Sequence, residues 1–274
     1  MNTWVVKYGG SVAGDAGDLL REVAHMVNRE GDRVAVVHGG GPEITELLGR
    51  LGHASPFADG QRVTDEVTLD AAEMVLAGRV GKRIVRRLQR AGVMAVGLSG
   101  EDGGLIQAEL YDGTGRLGRV GRVTAVRREL VDLLWRAGYV PVLAPLGLGA
   151  DGELLNINAD FVAGALAGAL GADVFVLATD VPGVKESRQA QHAIPEVSAA
   201  EAREMIASGV IAGGMIPKVE AALAAVDAGA GAAHIVDGRR SGILADLRRG
   251  ESVGTRIVRG ASPVKLTQGS GESW

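Results

Sequence analysis

Two lysines and an aspartate, spread over most of the chain, sit in sequence suited to anion chemistry. Lys7 closes a β-branched run in Val5-Val6-Lys7-Tyr8-Gly9-Gly10-Ser11, Asp160 ends Asn156-Ile157-Asn158-Ala159-Asp160, and Lys218 follows Gly213-Gly214-Met215-Ile216-Pro217. Two fixed cations beside glycine-rich backbone are what a transferring phosphoryl group needs, because that chemistry is mostly positioning and charge stabilisation. No G-x-x-x-x-G-K-[ST] run occurs, so such a kinase would work without a P-loop.

Each residue also has a plainer reading. A lysine at a strand end can snorkel to water. Asn158 suits a helix cap, and a first-turn aspartate suits the helix dipole. One cap needs only one of the three small polar side chains, which leaves Asn156 and Asp160 for a ligand or for orienting cations. A lysine opening a helix, as at Lys218, is disfavoured by the macrodipole unless an anion compensates it. Arg62, in Gly60-Gln61-Arg62-Val63-Thr64, is a natural fork for a carboxylate.

The glycines divide by context. Gly9 and Gly10 end the first expected strand, and Gly39, Gly40 and Gly41 end the second, with Pro42 suited to the first turn of the next helix. Both loops offer backbone N–H groups at strand carboxyl ends, where open α/β sheets bind ligands. Three consecutive glycines exceed what a tight turn requires. Two other runs, Gly113-Thr114-Gly115-Arg116-Leu117-Gly118 and Gly147-Leu148-Gly149-Ala150-Asp151-Gly152, spell the dinucleotide fingerprint, but neither opens a helix. A nicotinamide-binding fold is therefore disfavoured.

The elements that must position these residues follow from periodicity. Strands are expected over 3–8, 33–38, 94–98, 139–143, 174–178 and 233–236, and helices over 17–29, 42–51, 65–91, 127–137, 160–170, 199–208 and 218–228. The alternation predicts an open, mainly parallel three-layer α/β/α sandwich. Alternating segments around Asp112-Gly113, within 105–126, predict a hairpin, and 55–63 a second; either would serve as a lid or wall over a substrate pocket, or as a plain sheet edge. The basic set Lys82, Arg83, Arg86, Arg87 and Arg90 repeats at helical spacing and reads as a solvated helix face.

With 274 residues the chain can bury a large core, as one domain over 1–258 with lobes of about 1–170 and 171–258, followed by a mobile tail over 259–274. Lys and Arg number 29 against 33 Asp and Glu, for a formal charge of −4, and no basic run advertises a nucleic acid or anionic membrane as partner. Cysteine is absent and the five histidines form no ligand pair, so no protein-held metal site is expected. An opening directly into a strand, without a leader or a membrane-spanning apolar run, predicts a soluble cytoplasmic protein.

Seven motifs in register resemble the amino acid kinase family, and within it the acetylglutamate kinases. They are Val6-Lys7-Tyr8-Gly9-Gly10, Val37-His38-Gly39-Gly40-Gly41-Pro42, Gly60-Gln61-Arg62-Val63-Thr64, Gly97-Leu98-Ser99-Gly100-Glu101-Asp102-Gly103, Asn156-Ile157-Asn158-Ala159-Asp160, Thr179-Asp180-Val181-Pro182-Gly183-Val184 and Gly214-Met215-Ile216-Pro217-Lys218. The resemblance spans residues 3 to about 258. It implies ATP-dependent phosphorylation of the side-chain carboxylate of N-acetyl-L-glutamate, in arginine biosynthesis, with Mg²⁺ carried mainly by the nucleotide phosphates.

By the same resemblance Lys7 and Lys218 would neutralise the transferring group and Asp160 would organise both lysines. Gly39, Gly40 and Gly41 would hold substrate and γ-phosphate, and Gly9 and Gly10 would donate to phosphates. Arg62 would pair with the substrate α-carboxylate and Asn156 with its acetamido or carboxylate end. Thr179, Asp180, Val181, Gly183 and Val184 would belong to the nucleotide side. Arginine-inhibited relatives carry an added N-terminal helix and a C-terminal acidic and aromatic signature, so this chain is expected to be an arginine-insensitive homodimer. The alternatives are a carrier-protein-linked aminoadipate or glutamate kinase, for which Gly41 speaks against, and a catalytically dead amino-acid sensor, which should have lost one of Lys7, Asp160 or Lys218.

Overall fold

The computed structural model describes residues 1–9, 17–58, 60–187 and 190–260. Of the sequence expectations, Gly10 and the tail beyond Gly260 lie outside these residues.

In chain order, β1 (Thr3–Tyr8), α1 (Gly17–Glu30), β2 (Arg33–His38) and α2 (Gly41–Arg50) lead into a small hairpin of β3 (Phe57–Ala58) and β4 (Gln61–Arg62). A long helical stretch follows: α3 (Glu66–Glu73), a π-helical turn (Met74–Val80) and α4 (Gly81–Arg90). Next come β5 (Ala95–Ser99), β6 (Ile106–Leu110), β7 (Val120–Val126), α5 (Glu129–Arg136), β8 (Val140–Ala144), β9 (Leu146–Leu148) and β10 (Leu154–Ile157). The remainder is α6 (Ala159–Leu170), β11 (Val174–Thr179), β12 (Glu196–Ser198), α7 (Ala199–Ala207), α8 (Ile216–Asp227), β13 (Ala232–Asp237), α9 (Ile243–Arg248) and β14 (Thr255–Val258).

Eight strands form one sheet in the order β12-β14-β13-β11-β1-β2-β8-β5, parallel throughout except between β13 and β14. β1 is central and apolar on both sides, as a strand between two parallel neighbours must be. Its residues alternate between the two layers. Trp4, Val6 and Tyr8 face the core under α1, α3 and α4, whereas Val5 faces the core under α6 and α8. Period two puts Lys7 on the α6 side with Val5. The same alternation in β2 sends His38 to the opposite side with Val34 and Val36.

Chain order reverses across β1, with β2 on one flank and β11 on the other. Open α/β sheets bind ligands at the carboxyl ends of strands beside such a switch. Lys7, Gly9 and the three-glycine loop all emerge there.

Three features depart from the sequence expectation. The 105–126 hairpin is not a plain edge: β6 and β7 close into a four-stranded barrel with β9 and β10. β9 and β10 are too short and too interrupted by Gly147, Gly149 and Gly152 to read as strands in isolation. The barrel packs tightly against the sheet, since a Cβ on Gly100 would lie 1.8 Å from the Leu146 carbonyl oxygen. The helix expected over 65–91 carries its π turn in the middle. The expected solvated basic face is partly tied down, with Arg83 Nη2 on Glu43 Oε1 at 2.5 Å and Arg87 Nη1 on the Tyr8 hydroxyl at 3.3 Å.

Candidate active site

The decisive juxtaposition comes from α6 and α8. α6 starts where the Asn158 side chain accepts from the Asp160 N–H at 2.8 Å, which sets Asp160 in the first turn. Gly164 and Gly168 then present bare backbone to α8: a Cβ on Gly164 would lie 2.5 Å from the Ala221 carbonyl oxygen, and one on Gly168 2.5 Å from Ala228 Cβ. So close an approach brings the first turns of both helices together. Lys218 Nζ donates to Asp160 Oδ2 at 3.0 Å, and Lys7 Nζ, reaching over from β1, lies 2.8 Å from Oδ1. One buried carboxylate thus holds two ammonium groups.

Burial alone would raise the Asp160 pKa, but Lys7 and then Lys218 outweigh it and hold the carboxyl below its ordinary value. Asp160 is therefore ionised near neutral pH. The trio carries a net charge of +1, and its Lys7 lines a cavity, an arrangement that invites an anion.

That cavity, about 350 Å³, is bounded by Lys7, the Gly39 to Gly41 loop, Arg62 and Asn156. Gly40 caps α2 without a side-chain partner, so the first N–H groups of that helix are left for a ligand. Arg62 is buried, which lowers its pKa, and its guanidinium carbon lies 4.6 Å above the Phe57 ring. Its Nη2 donates to the Gly41 carbonyl at 3.0 Å and to Thr45 Oγ1 at 2.7 Å. No carboxylate among the described residues pairs with it.

Asn156, on β10, donates from Nδ2 to Thr64 Oγ1 at 3.1 Å, and that hydroxyl donates in turn to the Arg62 carbonyl at 2.7 Å. Thr64 and Thr45 were not singled out by sequence reasoning. Thr64 lies inside the Arg62 motif, two residues on and hence on the same face, which was the available signal.

The expected nucleotide residues gather elsewhere. Val181, Gly183 and Val184 line a separate, mostly apolar pocket of about 300 Å³, closed on its other side by Ile211 and Met215. Gly183 adopts φ 143° and packs so closely that a Cβ there would lie 2.6 Å from Thr255 Oγ1. Thr179 and Asp180 end β11 beside this pocket without lining it; Thr179 Oγ1 donates to Asp180 Oδ1 at 3.1 Å, and Arg239 Nη2 to the Asp180 carbonyl at 2.8 Å. Ile211 and Met215 carried no sequence signal beyond the approach to α8. Gly9 is buried at the exit of β1.

Sheet, glycine loops and paired lysines define a phosphotransferase, and the chain belongs to the amino acid kinase family, whose profile matches residues 2–237. It is similar to the acetylglutamate kinase of Rubrobacter xylanophilus, 47% identical over 257 residues, covering 94% of this chain and 97% of that one. The acetylglutamate kinase of Syntrophomonas wolfei is 44% identical over 259 residues, covering 93% and 90%. The solved structure of smu.665 from Streptococcus mutans UA159 superposes with a TM-score of 0.78 at 30% identity, covering 94% of this chain and 99% of that one. Giardia carbamate kinase, at 17% identity and a TM-score of 0.70, shares the fold.

Proposed function

We propose that this protein transfers the γ-phosphoryl group of ATP to the side-chain carboxylate of N-acetyl-L-glutamate, giving N-acetyl-L-glutamyl 5-phosphate and ADP in arginine biosynthesis. The observation that carries this is the buried Asp160 with one ammonium on each oxygen, beside a cavity lined by Lys7 and by an arginine that pairs with no carboxylate among the described residues. The acetylglutamate kinases at 42–47% identity over nearly the whole chain support the substrate.

In the reaction a carboxylate oxygen attacks the γ-phosphorus in line as the bond to the ADP oxygen breaks. The attacking carboxylate is already ionised at neutral pH, so no general base is required. Lys7 and Lys218 stabilise charge on the phosphoryl oxygens, and Asp160 fixes their positions. The N–H groups of Gly40 and Gly41 donate to the same oxygens. Arg62 takes the substrate α-carboxylate, and Asn156, its orientation fixed by Thr64, takes the acetamido end. The pocket at Val181 to Val184 takes the base of the nucleotide, with Thr179 and Asp180 at its border. Residues up to about 170 hold the acceptor and those from 171 to 258 the nucleotide.

Mg²⁺ fits here as an ion that the nucleotide phosphates would carry into the site. When bound it neutralises phosphate charge. A homodimer fits the open sheet edge at β5 and the exposed Met74 and Met94 nearby. An ATP-consuming biosynthetic step also suits residence in the cytoplasm. No helix among the described residues is long and apolar enough to cross a membrane.

The test incubates purified protein with MgATP and N-acetyl-L-glutamate and traps acyl phosphate with hydroxylamine. Hydroxamate is expected. None with this acid, but abundant product with a carrier-bound aminoadipate, would transfer the assignment to the carrier-linked enzymes; none with either would leave a non-catalytic sensor.

A further inference from the structure

His38 ends β2 immediately before the glycine loop, and it is fully buried on the face of the sheet opposite Lys7. Its Nδ1 lies 3.1 Å from the carbonyl oxygen of Gly39. A carbonyl oxygen can only accept, so Nδ1 carries the proton and the neutral ring must have a bare Nε2. That nitrogen is buried with no hydrogen-bond partner. It abuts the helix just after the π turn, where a Cβ on Gly81 would lie 3.2 Å from it. The ring is held in place by packing on one side and by the Gly39 carbonyl on the other.

The consequence lies in the next peptide. Among the described residues there is no cis bond, and in a trans peptide the C=O and the following N–H point in opposite directions. Drawing the Gly39 carbonyl toward His38 therefore drives the Gly40 N–H the other way, toward the cavity lined by Lys7 and the glycine loop. The other end of Gly39 is also fixed, its N–H donating to the Tyr8 carbonyl at 3.2 Å. The Gly40 N–H itself has no backbone acceptor among the described residues. Side chains confirm how tightly the loop is seated, since a Cβ on Gly40 would lie 2.9 Å from Leu76 Cδ2 and 3.2 Å from Val80 Cγ2.

We propose that His38 is a positioning residue that aims the Gly40 N–H at the transferring phosphoryl group, a role that rests on the phosphoryl-transfer reading of the site. The π turn serves the same end, by laying Leu76 and Val80 on Gly40 and bringing Gly81 against the ring. Burial lowers the His38 pKa to about 4 against the hydrogen bond to Gly39, with Arg83 adding to the shift and Glu43 opposing it, so the ring is neutral near neutral pH. His38 acts as a fixed strut and not as a proton carrier.

Two measurements test this. The ¹⁵N spectrum of His38 in the unmodified protein at neutral pH should show the Nδ1–H tautomer; a protonated Nε2 would overturn the proposal whatever the kinetics. In the hydroxamate assay, His38→Phe, which fills the space but donates nothing, should lower kcat by about 10²-fold, the scale of one lost oriented donor, with KM for N-acetyl-L-glutamate little changed. His38→Asn, whose amide can still donate to the Gly39 carbonyl, should recover most of that loss. Wild-type kcat in a folded His38→Phe variant, or a rise confined to KM, would refute the role. If His38→Phe does not fold, Gly81→Ala keeps the histidine while pressing on Nε2, and should lower kcat several-fold; no effect would count against the strut. An inactive wild-type protein would instead remove the reaction itself, and the proposal with it.

Discussion

Replacing Asp160 by Asn removes one charge from a buried trio and leaves two ammonium groups with no anion between them. Breaking a buried ion pair on one side costs about 3–5 kcal/mol, most of it the penalty for the stranded charge. The Lys218 side chain keeps 20% of its exposure and the Lys7 side chain 10%, so water recovers part of the loss and the lower end, about 3 kcal/mol, applies. For a chain of this size that is a fall in melting temperature of roughly 6–12 °C. Nucleotide phosphates would supply the missing anion. A non-hydrolysable ATP analogue with Mg²⁺ should therefore raise the melting temperature of the variant more than that of wild type, while kcat stays depressed by about 10²-fold or more because the lysines are no longer held in line. The sign with pH is also set. A carboxyl whose folded pKa is depressed stabilises the protein above its unfolded value, near 4, and loses that contribution as pH falls through the lower folded value. Wild type and variant should thus differ most at neutral pH and converge in acid. Thermal melts with and without the analogue, and the hydroxamate assay, measure all three effects. A variant that melts with wild type and turns over at its rate would refute the organising role; equal ligand-induced shifts would refute the compensation by phosphate.

Three further outcomes are expected. Lys218→Ala should lower kcat by about 10²-fold with a much smaller change in KM for either substrate, because its charge matters most in the transition state; unchanged kcat with weakened binding would remove that role. Arg62→Lys should raise KM for N-acetyl-L-glutamate roughly tenfold or more and leave kcat within a few-fold, since the fork and its stacking on Phe57 are lost while the charge is kept; an unchanged KM would move the α-carboxylate elsewhere. Gly164→Ala, which touches no ligand, should force α6 and α8 apart at the Ala221 carbonyl, destabilise the fold by about 1–3 kcal/mol, and lower kcat by loosening the Asp160 to Lys218 contact; urea midpoints and initial rates decide it, and full activity would show that the contact tolerates the shift.

What could be read from sequence was what the backbone encodes locally. β1 and β2 were legible because their β-branched runs are bounded by glycines, and Asn158 because a cap is a one-turn signal. The barrel was only half legible. Asp112-Gly113 marks one hairpin, but β9 and β10 span three and four residues and become strands only by pairing with β7 and β6. The π turn left no trace in the sequence, although it lays Leu76 and Val80 against Gly40. Charged residues announced the chemistry of the site without its geometry. The geometry rests instead on residues without a side chain: Gly164 and Gly168 let two helices touch, Gly81 admits a ring, and Gly40 admits Leu76 and Val80. Each of these is a position where a single methyl group would intrude on a neighbour within 3.2 Å. Glycine in this chain therefore does two separable things. In the loop after β2 it leaves the Gly40 N–H without a backbone acceptor among the described residues, and inside helices it sets how near two charged side chains can come. Only the first has a motif, which is why the three-glycine loop stands out in the sequence while the spacing that makes Asp160 serve both lysines does not.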